Sequence, residues 1–301
     1  MRYTISVDTG GTFTDVVVQD ARGGLVIGKA PTTPDRIFDG MQAALEDAAT
    51  QLGIAQSALL EEAQLLIFGT TRSTNAIVQG AVAKTAFLTT EGFPDILVTR
   101  EGGKFGPHDF SYDFPKPYIA RRHTFEIRER VSSEGEIVTP FDDMQARSVV
   151  RRLVDEDFEA VAVCFLWSVA NPVHEIRMGE ILAEDAPSLA ASFSHRLVPI
   201  VREYRRASTT AIDASIKPLM QGHLRRMQSD LRAAGFKGNI FVSTSAGGCT
   251  YVDDIVEKPV HTVKSGPAMA PVAGRAFAAL EQLGNDVIVC DTGGTTFDVG
   301  L

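Results

Sequence analysis

The chain has 301 residues, 44% of them hydrophobic, a mean hydropathy near zero and a formal net charge of −9. These values describe a globular protein of two domains or an incomplete third, and they exclude general nucleic-acid binding, which favours a basic surface. No run approaches the 18 apolar residues of a membrane span, the N-terminus enters a strand pattern without an apolar leader, and three scattered cysteines without a CxxC pair suit a reducing compartment, so a cytoplasmic protein is expected.

Tyr3–Asp8 and Phe13–Gln19 are β-rich runs hinged on Gly10-Gly11, and Leu25–Lys29 follows Gly23-Gly24, which together read as a meander. Asp35–Leu52 has helical spacing, with Ile37, Met41, Leu45 and Ala48 on one face and Gly53 as the stop. A short strand at Leu65–Phe68, a helix from near Thr74 and a strand at Thr85–Leu88 come next. Residues 99–123 lack periodicity and read as an ordered surface loop, a common place for specificity. A second rhythm then sets in, with helices at Asp142–Glu156 and Pro172–Glu184 and strands at Glu159–Phe165 and Leu189–Phe193. Val201–Ala234 reads as one long helix or a pair broken at Pro218. A strand at Asn239–Ser243, a helix at Ala268–Leu283 and a strand at Asp286–Asp291 complete an α/β alternation with mixed sheets.

The informative feature is a repetition. Residues 7–18 read VDTGGTFTDVVV and residues 290–301 read CDTGGTTFDVGL. Each copy runs an apolar strand into Asp, Thr, two glycines and Thr, and then leaves on a second strand. Glycines lack a Cβ, so backbone N–H groups can approach an anion closely. The hydroxyls add donors, and a carboxylate at a strand end can hold Mg²⁺ or a metal-bound water. One such turn is equally well an ordinary tight hairpin braced by its Asp. Two copies, one opening each half, point to two turns gripping one triphosphate. The P-loop and dinucleotide fingerprints are absent.

The pair resembles the phosphate-1 and phosphate-2 hairpins of the actin, sugar kinase and Hsp70 superfamily. Further segments narrow the resemblance to the hydantoinase/oxoprolinase family: FGTTRSTNAIVQG (68–80), EYRRASTTAIDASIKPLMQGHL (203–224), STSAGG (243–248) and KSGPA (264–268). The resemblance implies ribonuclease-H-like mixed sheets of the actin/Hsp70 ATPase type. It also implies an N-terminal family domain at 1–200 and the start of a second ATPase domain at 201–301, with the purine pocket beyond this stretch. The implied activity is ATP- and Mg²⁺-dependent phosphorylation of a carbonyl oxygen. It would lead to hydrolysis of a cyclic amide such as a hydantoin or 5-oxoproline or, alternatively, to carboxylation of a ketone. A second subunit of the hydantoinase B type is the implied partner. A non-catalytic assembly fragment and a sugar kinase are the competing readings.

On this resemblance Asp8 and Asp291 are expected at the metal or its water. Thr9, Gly10, Gly11, Thr12 and Thr14 are expected on the phosphates, with Thr292, Gly293, Gly294 and Thr295 as the opposing clasp. Asp15 and Asp298 recur further along each outgoing strand, where turn-bracing and ligand roles are both open. Thr70, Thr71, Arg72 and Asn75 stand at a helix start, where ordinary capping competes with substrate contact; the resemblance favours substrate. Ser265 and Gly266 open another helix, where free N–H groups can meet phosphate. Glu203 to Arg206 is either a solvated face or part of a cleft. Histidines 108, 123, 174, 195, 223 and 261 show no metal-ligand spacing, and nucleophilic roles for Cys249 and Cys290 lack a visible base. Met269-Ala270-Pro271, where the amide hydrolases carry glycines, and the loop at 100–110 leave room for the carboxylase branch.

Overall fold

The computed structural model describes residues 3–33, 36–102, 108, 109, 111, 115–282, 284, 286–292 and 297–300. The first stretch runs β1 (Tyr3–Thr9), β2 (Phe13–Asp20), β3 (Leu25–Pro31), α1 (Ile37–Leu52), α2 (Gln56–Glu62), β4 (Ala63–Thr70) and α3 (Arg72–Gln79). The middle stretch runs β5 (Thr85–Thr90), α4 (Ile96–Thr99), β6 (Thr124–Ile127), β7 (Arg130–Val131), β8 (Ile137–Thr139), α5 (Asp143–Asp155), β9 (Ala160–Cys164), α6 (Val173–Asp185), β10 (Ala190–Phe193) and α7 (Ser194–Leu197). Helix α8 (Glu203–Ala233) leads to β11 (Asn239–Ser243), β12 (Cys249–Tyr251), α9 (Val252–Glu257), α10 (Ser265–Leu280), β13 (Val289–Thr292) and β14 (Phe297–Gly300).

The chain divides into two compact units, one made of Met1–Gly80 with Met220–Leu301, the other of Ala81–Leu219. The division at 200/201 expected from the sequence falls inside the second of these.

In the first unit a six-stranded sheet has the order β12-β11-β4-β1-β2-β3. β1, β2 and β3 form the expected antiparallel meander, while β4 and β11 join parallel to β1. The period of two is clean: Ile5 and Val7 on β1 and Val16 and Val18 on β2 are buried, and the residues between them are less so. Helix α1 covers the meander with the stripe read from the sequence, Met41, Leu45 and Ala48 being fully buried. It stops at Gly53 in the left-handed region (φ 69°), whose N–H bonds Thr50 O while Ile54 N–H bonds Ala49 O. Its seat on β3 depends on Gly28, where a Cβ would stand 2.1 Å from Ala44 O.

The second unit is built on a parallel sheet of order β10-β9-β5-β6. β5 and β9 are buried on both faces, which explains their unbroken apolar or small character. Ala86, Leu88, Val161 and Val163 face α5 and α6; Phe87, Ala160, Ala162 and Cys164 face Ala207, Ala211 and Ala214 of α8. The buried charges at Glu175 and Arg206 are paired. Glu175 accepts from Phe165 N, Ser194 Oγ and His195 N, and Arg206, 1% exposed, donates to the carbonyls of Phe165 and Ile200. Of the charged run at 203–206, then, Arg205 pairs with Glu101 at an exposed position while Arg206 is core.

Pro218 lies inside α8, which continues as one helix. Helix α10 starts three residues before the expected Ala268. The short elements α2, β6, β7, β8, β12 and α9 carry too few residues to show a period and went unread in the sequence. Much of the 99–123 loop, at 103–107, 110 and 112–114, lies outside the described residues.

Candidate phosphate-binding site

The repeated letters fold as repeated hairpins. β1 and β2 pair with Asp8 opposite Asp15 and Thr9 opposite Thr14. β13 and β14 pair in the equivalent register, with Asp291 opposite Asp298 and Thr292 opposite Phe297. Gly293, Gly294 and Thr295 lie outside the described residues.

The first turn is closed by Gly10 N–H donating to Phe13 O at 3.0 Å. Thr32, just past β3, backs it from behind. Its N–H donates to Thr12 O at 2.9 Å, and its hydroxyl donates to Gly10 O at 3.0 Å and lies 3.0 Å from Thr14 Oγ1. Because the single Thr32 proton goes to Gly10, the Thr14 hydroxyl is the donor to Thr32. Thr14 is fully buried and spends its hydroxyl inside the turn. Thr9 Oγ1 is also buried and makes no hydrogen bond. Gly11 is exposed, and a Cβ added there would meet nothing within 4 Å, so backbone is open to a ligand at this point.

Asp8 projects from the end of β1 over Gly69 of β4. A Cβ on Gly69 would stand 3.2 Å from Asp8 Oδ1 and 3.7 Å from Ser243 Oγ, so this glycine makes room for the carboxylate. Desolvation by the surrounding protein raises the Asp8 pKa above the ordinary carboxylate value, and the charges of Asp15 and then Asp291 raise it further. The second hairpin's aspartate is therefore close enough to act on the first's.

Segments far apart in sequence converge here. Thr262 Oγ1 lies 2.9 Å from Ser73 Oγ, Lys264 N–H donates to Thr74 Oγ1 at 2.9 Å, and Ser243 and Ser265 hydroxyls lie 3.3 Å apart. Lys264 holds φ at 63° just before α10, and its Nζ stands 3.8 Å from Asp298. Ser265 is buried, whereas Gly266 opens on free space. Thr70 Oγ1 accepts from Arg72 N–H and Thr71 Oγ1 accepts from Asn75, so these two threonines brace the α3 start. The segment 203–219 belongs to the other unit.

Three contributors have no individual signature in the sequence. Ser243 and Gly69 lie within the STSAGG and FGTTRSTNAIVQG segments, whose residue types alone do not mark them. Thr32 carried no signal beyond the meander itself, which returns the end of β3 to the first turn. Among the described residues no three His, Cys, Asp or Glu side chains come together to hold a metal. Cys164 is buried with its pKa pushed up to about 12 by desolvation, and Cys249 and Cys290 are exposed.

An antiparallel meander β3-β2-β1 continued by parallel β4 and β11 is the ribonuclease-H-like sheet of the actin/Hsp70 ATPase type. The hydantoinase/oxoprolinase N-terminal region matches residues 4–186 and the hydantoinase/oxoprolinase domain matches residues 206–301. The chain belongs to the hydantoinase/oxoprolinase family. It is 32% identical to the caprolactamase subunit alpha of Pseudomonas jessenii, over 100% of this chain and 43% of that protein. It is also 32% identical to the acetophenone carboxylase gamma subunit of Aromatoleum aromaticum, over 99% of this chain and 42% of that protein. The crystal structure of the ATP-dependent caprolactamase superposes with a TM-score of 0.85 over 99% of this chain and 43% of that one. Nucleotide-free acetone carboxylase shares the fold, with a TM-score of 0.89 at 24% identity over 99% of this chain and 44% of that one. The chain thus spans under half the length of the relatives it matches. No helix among the described residues is long and apolar enough to cross a membrane.

Proposed function

We propose that this chain carries the phosphate-holding part of an ATP-dependent enzyme that phosphorylates a carbonyl oxygen, leading to hydrolysis of a cyclic amide such as a hydantoin or 5-oxoproline. The observation that carries this reading is the pair of hairpins of equal register, each with an aspartate at the end of its first strand, and the Asp291 charge is among those that raise the Asp8 pKa. A carboxylate whose pKa is raised by a neighbouring carboxylate's charge favours a cation between the two. Mg²⁺ characteristically uses one or two carboxylates and completes its shell with water and phosphate oxygens, so Asp8 and Asp291 suffice without a protein cage. When bound, the ion would supply charge neutralisation at the transferring phosphoryl group. The chain's own groups would do the rest. Exposed Gly11 lets backbone approach a phosphate, and Thr32 with Thr14 keeps the turn rigid. Gly266, at the start of α10, presents N–H groups at the positive end of a helix.

A ketone carboxylase subunit is the second reading, supported by the acetophenone carboxylase relative at the same identity as the caprolactamase. Met269-Ala270-Pro271, where glycines are expected in the amide hydrolases, also leaves room for it. In either case a hydantoinase-B-type subunit would be the partner, in the cytoplasm.

The test uses the full-length assembly with its partner. Asp8→Ala and Asp291→Ala should each lower ATP turnover by about 100-fold or more with unchanged circular dichroism. Wild-type turnover in both variants would sink the reading. Substrate panels of hydantoins, 5-oxoproline and ketones with bicarbonate separate the two branches, and phosphorylation of a hexose would replace both.

A further inference from the structure

On the opposite side of the six-stranded sheet from Asp8 lies a second group of polar side chains. Asp8 alternates with Val7 along β1, and Val7 is the register partner of Phe68 on β4. The His223 ring of α8 packs on Phe68 with centroids 5.8 Å apart, on the covered face. Here Arg36, Arg72, His223, Arg226 and Asp230 line a cavity of about 50 Å³ whose apolar walls include the start of α1.

Among the described residues the charges lining this cavity do not balance. Asp230, the one carboxylate among them, lies 3.3 Å from Arg36, which also stands 3.5 Å from Asp39. Arg226 donates from Nε to Gly222 O of its own helix. Arg72 Nε is buried and makes no hydrogen bond. His223 is 9% exposed, and its buried Nε2 likewise has no partner. Native interiors leave few such groups unpaired, and here two converge on one small space between two guanidinium groups. The cations also act on each other. Desolvation and then Arg226 lower the Arg72 pKa; desolvation, then Arg72 and Arg226, lower that of His223 to about 4.

We infer that this cavity binds a small oxyanion, a phosphate or carboxylate group, held between the Arg72 and Arg226 guanidiniums with His223 Nε2–H as a further donor. Guanidinium groups are matched to such anions in charge and in donor geometry, and the volume admits one compact group rather than a nucleotide. The anion supplies the missing acceptors and the missing negative charge together. The inference is independent of the hairpin reading, because its residues lie under the other face of the sheet.

The experiment is a titration of the chain with inorganic phosphate, followed through the imidazole resonances of His223. Those resonances should shift saturably. The His223 pKa should rise from about 4, because a bound anion favours the imidazolium against the two neighbouring arginines, Arg72 and Arg226. Arg72→Met and Arg226→Met should each weaken phosphate binding by roughly tenfold or more, and Asp8→Ala should leave it unchanged. Saturation by phosphate or acetate alone assigns a free anion. A shift with ATP at lower concentration than with phosphate assigns the phosphate of a larger molecule, and both outcomes uphold the site. No movement of His223 at tens of millimolar phosphate overturns it. So does a response that survives both arginine variants, or one that disappears with Asp8→Ala and so belongs to the hairpin.

Discussion

The two hairpins are nearly the same in sequence and equal in register, yet they live in different surroundings. β1 and β2 sit inside a six-stranded sheet under α1; among the described residues β13 and β14 pair only with each other and rest on α10. Val16 and Val299 occupy the same place in the repeat, and the first is 0% exposed while the second is 58% exposed. Thr14, buried and bonded to Thr32, corresponds to Phe297 at 63% exposure. The difference teaches that the Asp-Thr-Gly-Gly-Thr letters specify a turn and a register locally, whereas burial is supplied by whatever strands and helices lie alongside. The aspartates at the strand ends keep their relation because register alone sets it.

The largest effect should come from removing the support of the first hairpin. Gly28→Ala drives a Cβ to 2.1 Å from the Ala44 carbonyl, a backbone atom of α1 that cannot step aside. We expect a loss of about 3 kcal/mol or more, read by chemical denaturation. Its counterpart, Gly274→Ala, meets the Val289 side chain at 2.2 Å in the sparsely packed second hairpin and should cost about 1 kcal/mol. Equal losses would mean that the second hairpin is as firmly embedded as the first.

The matched valines sharpen the contrast. Val16→Ala should cost about 2 kcal/mol through lost burial and a residual cavity. Val299→Ala should fall within about 0.5 kcal/mol of zero. A Val299 loss equal to that of Val16 would mean that the two hairpins are equally buried.

Smaller still is the electrostatic effect, and its sign follows from Asp8. A carboxylate whose folded pKa is raised contributes least to stability when it is charged. The charged form destabilises the folded state above that raised pKa, and below the ordinary value of 3.8 both states are protonated and the effect vanishes. Asp8→Asn should therefore stabilise the chain at neutral pH and not below pH 3.8, as thermal melts at the two pH values would show. A gain that grows toward low pH would contradict it. The smallest change belongs to Asp15→Asn and Asp291→Asn. Each should lower the Asp8 pKa, Asp15→Asn by more, in carbon-13 titrations of the carboxyl. No response to Asp291→Asn would uncouple the two hairpins.

Much of the first unit was legible in the sequence because its signals are local and periodic. The meander is punctuated by paired glycines, α1 shows an unbroken stripe, and Gly53 marks its end. The long helix α8 was legible in extent, although its two arginines at 205 and 206 could not be told apart. One pairs at the surface and the other is core, a difference fixed by carbonyls at 165 and 200 that no helical period reveals. The sites follow the same rule. Asp8 and Asp291 stood out because a motif repeats. Thr32 and Gly69 did not, since one backs a turn and the other yields space, and both roles exist only once the strands are side by side. His223 and Arg226 belong to a cluster assembled from three helices, with no sequence pattern of its own.

The discontinuity of the first unit has a consequence for the newborn protein. Its sheet needs β11 beside β4, yet β4 ends at Thr70 and β11 begins at Asn239. At ribosomal speeds of about 5–20 residues per second, the free edge of β4 waits on the order of ten to thirty seconds for its neighbour. During that time the second unit, contiguous from Ala81 to Leu219, emerges whole. The order of manufacture thus makes the intervening unit the first that can finish, and it leaves an apolar strand edge bearing Leu66 and Phe68 as the segment most in need of a chaperone's shelter.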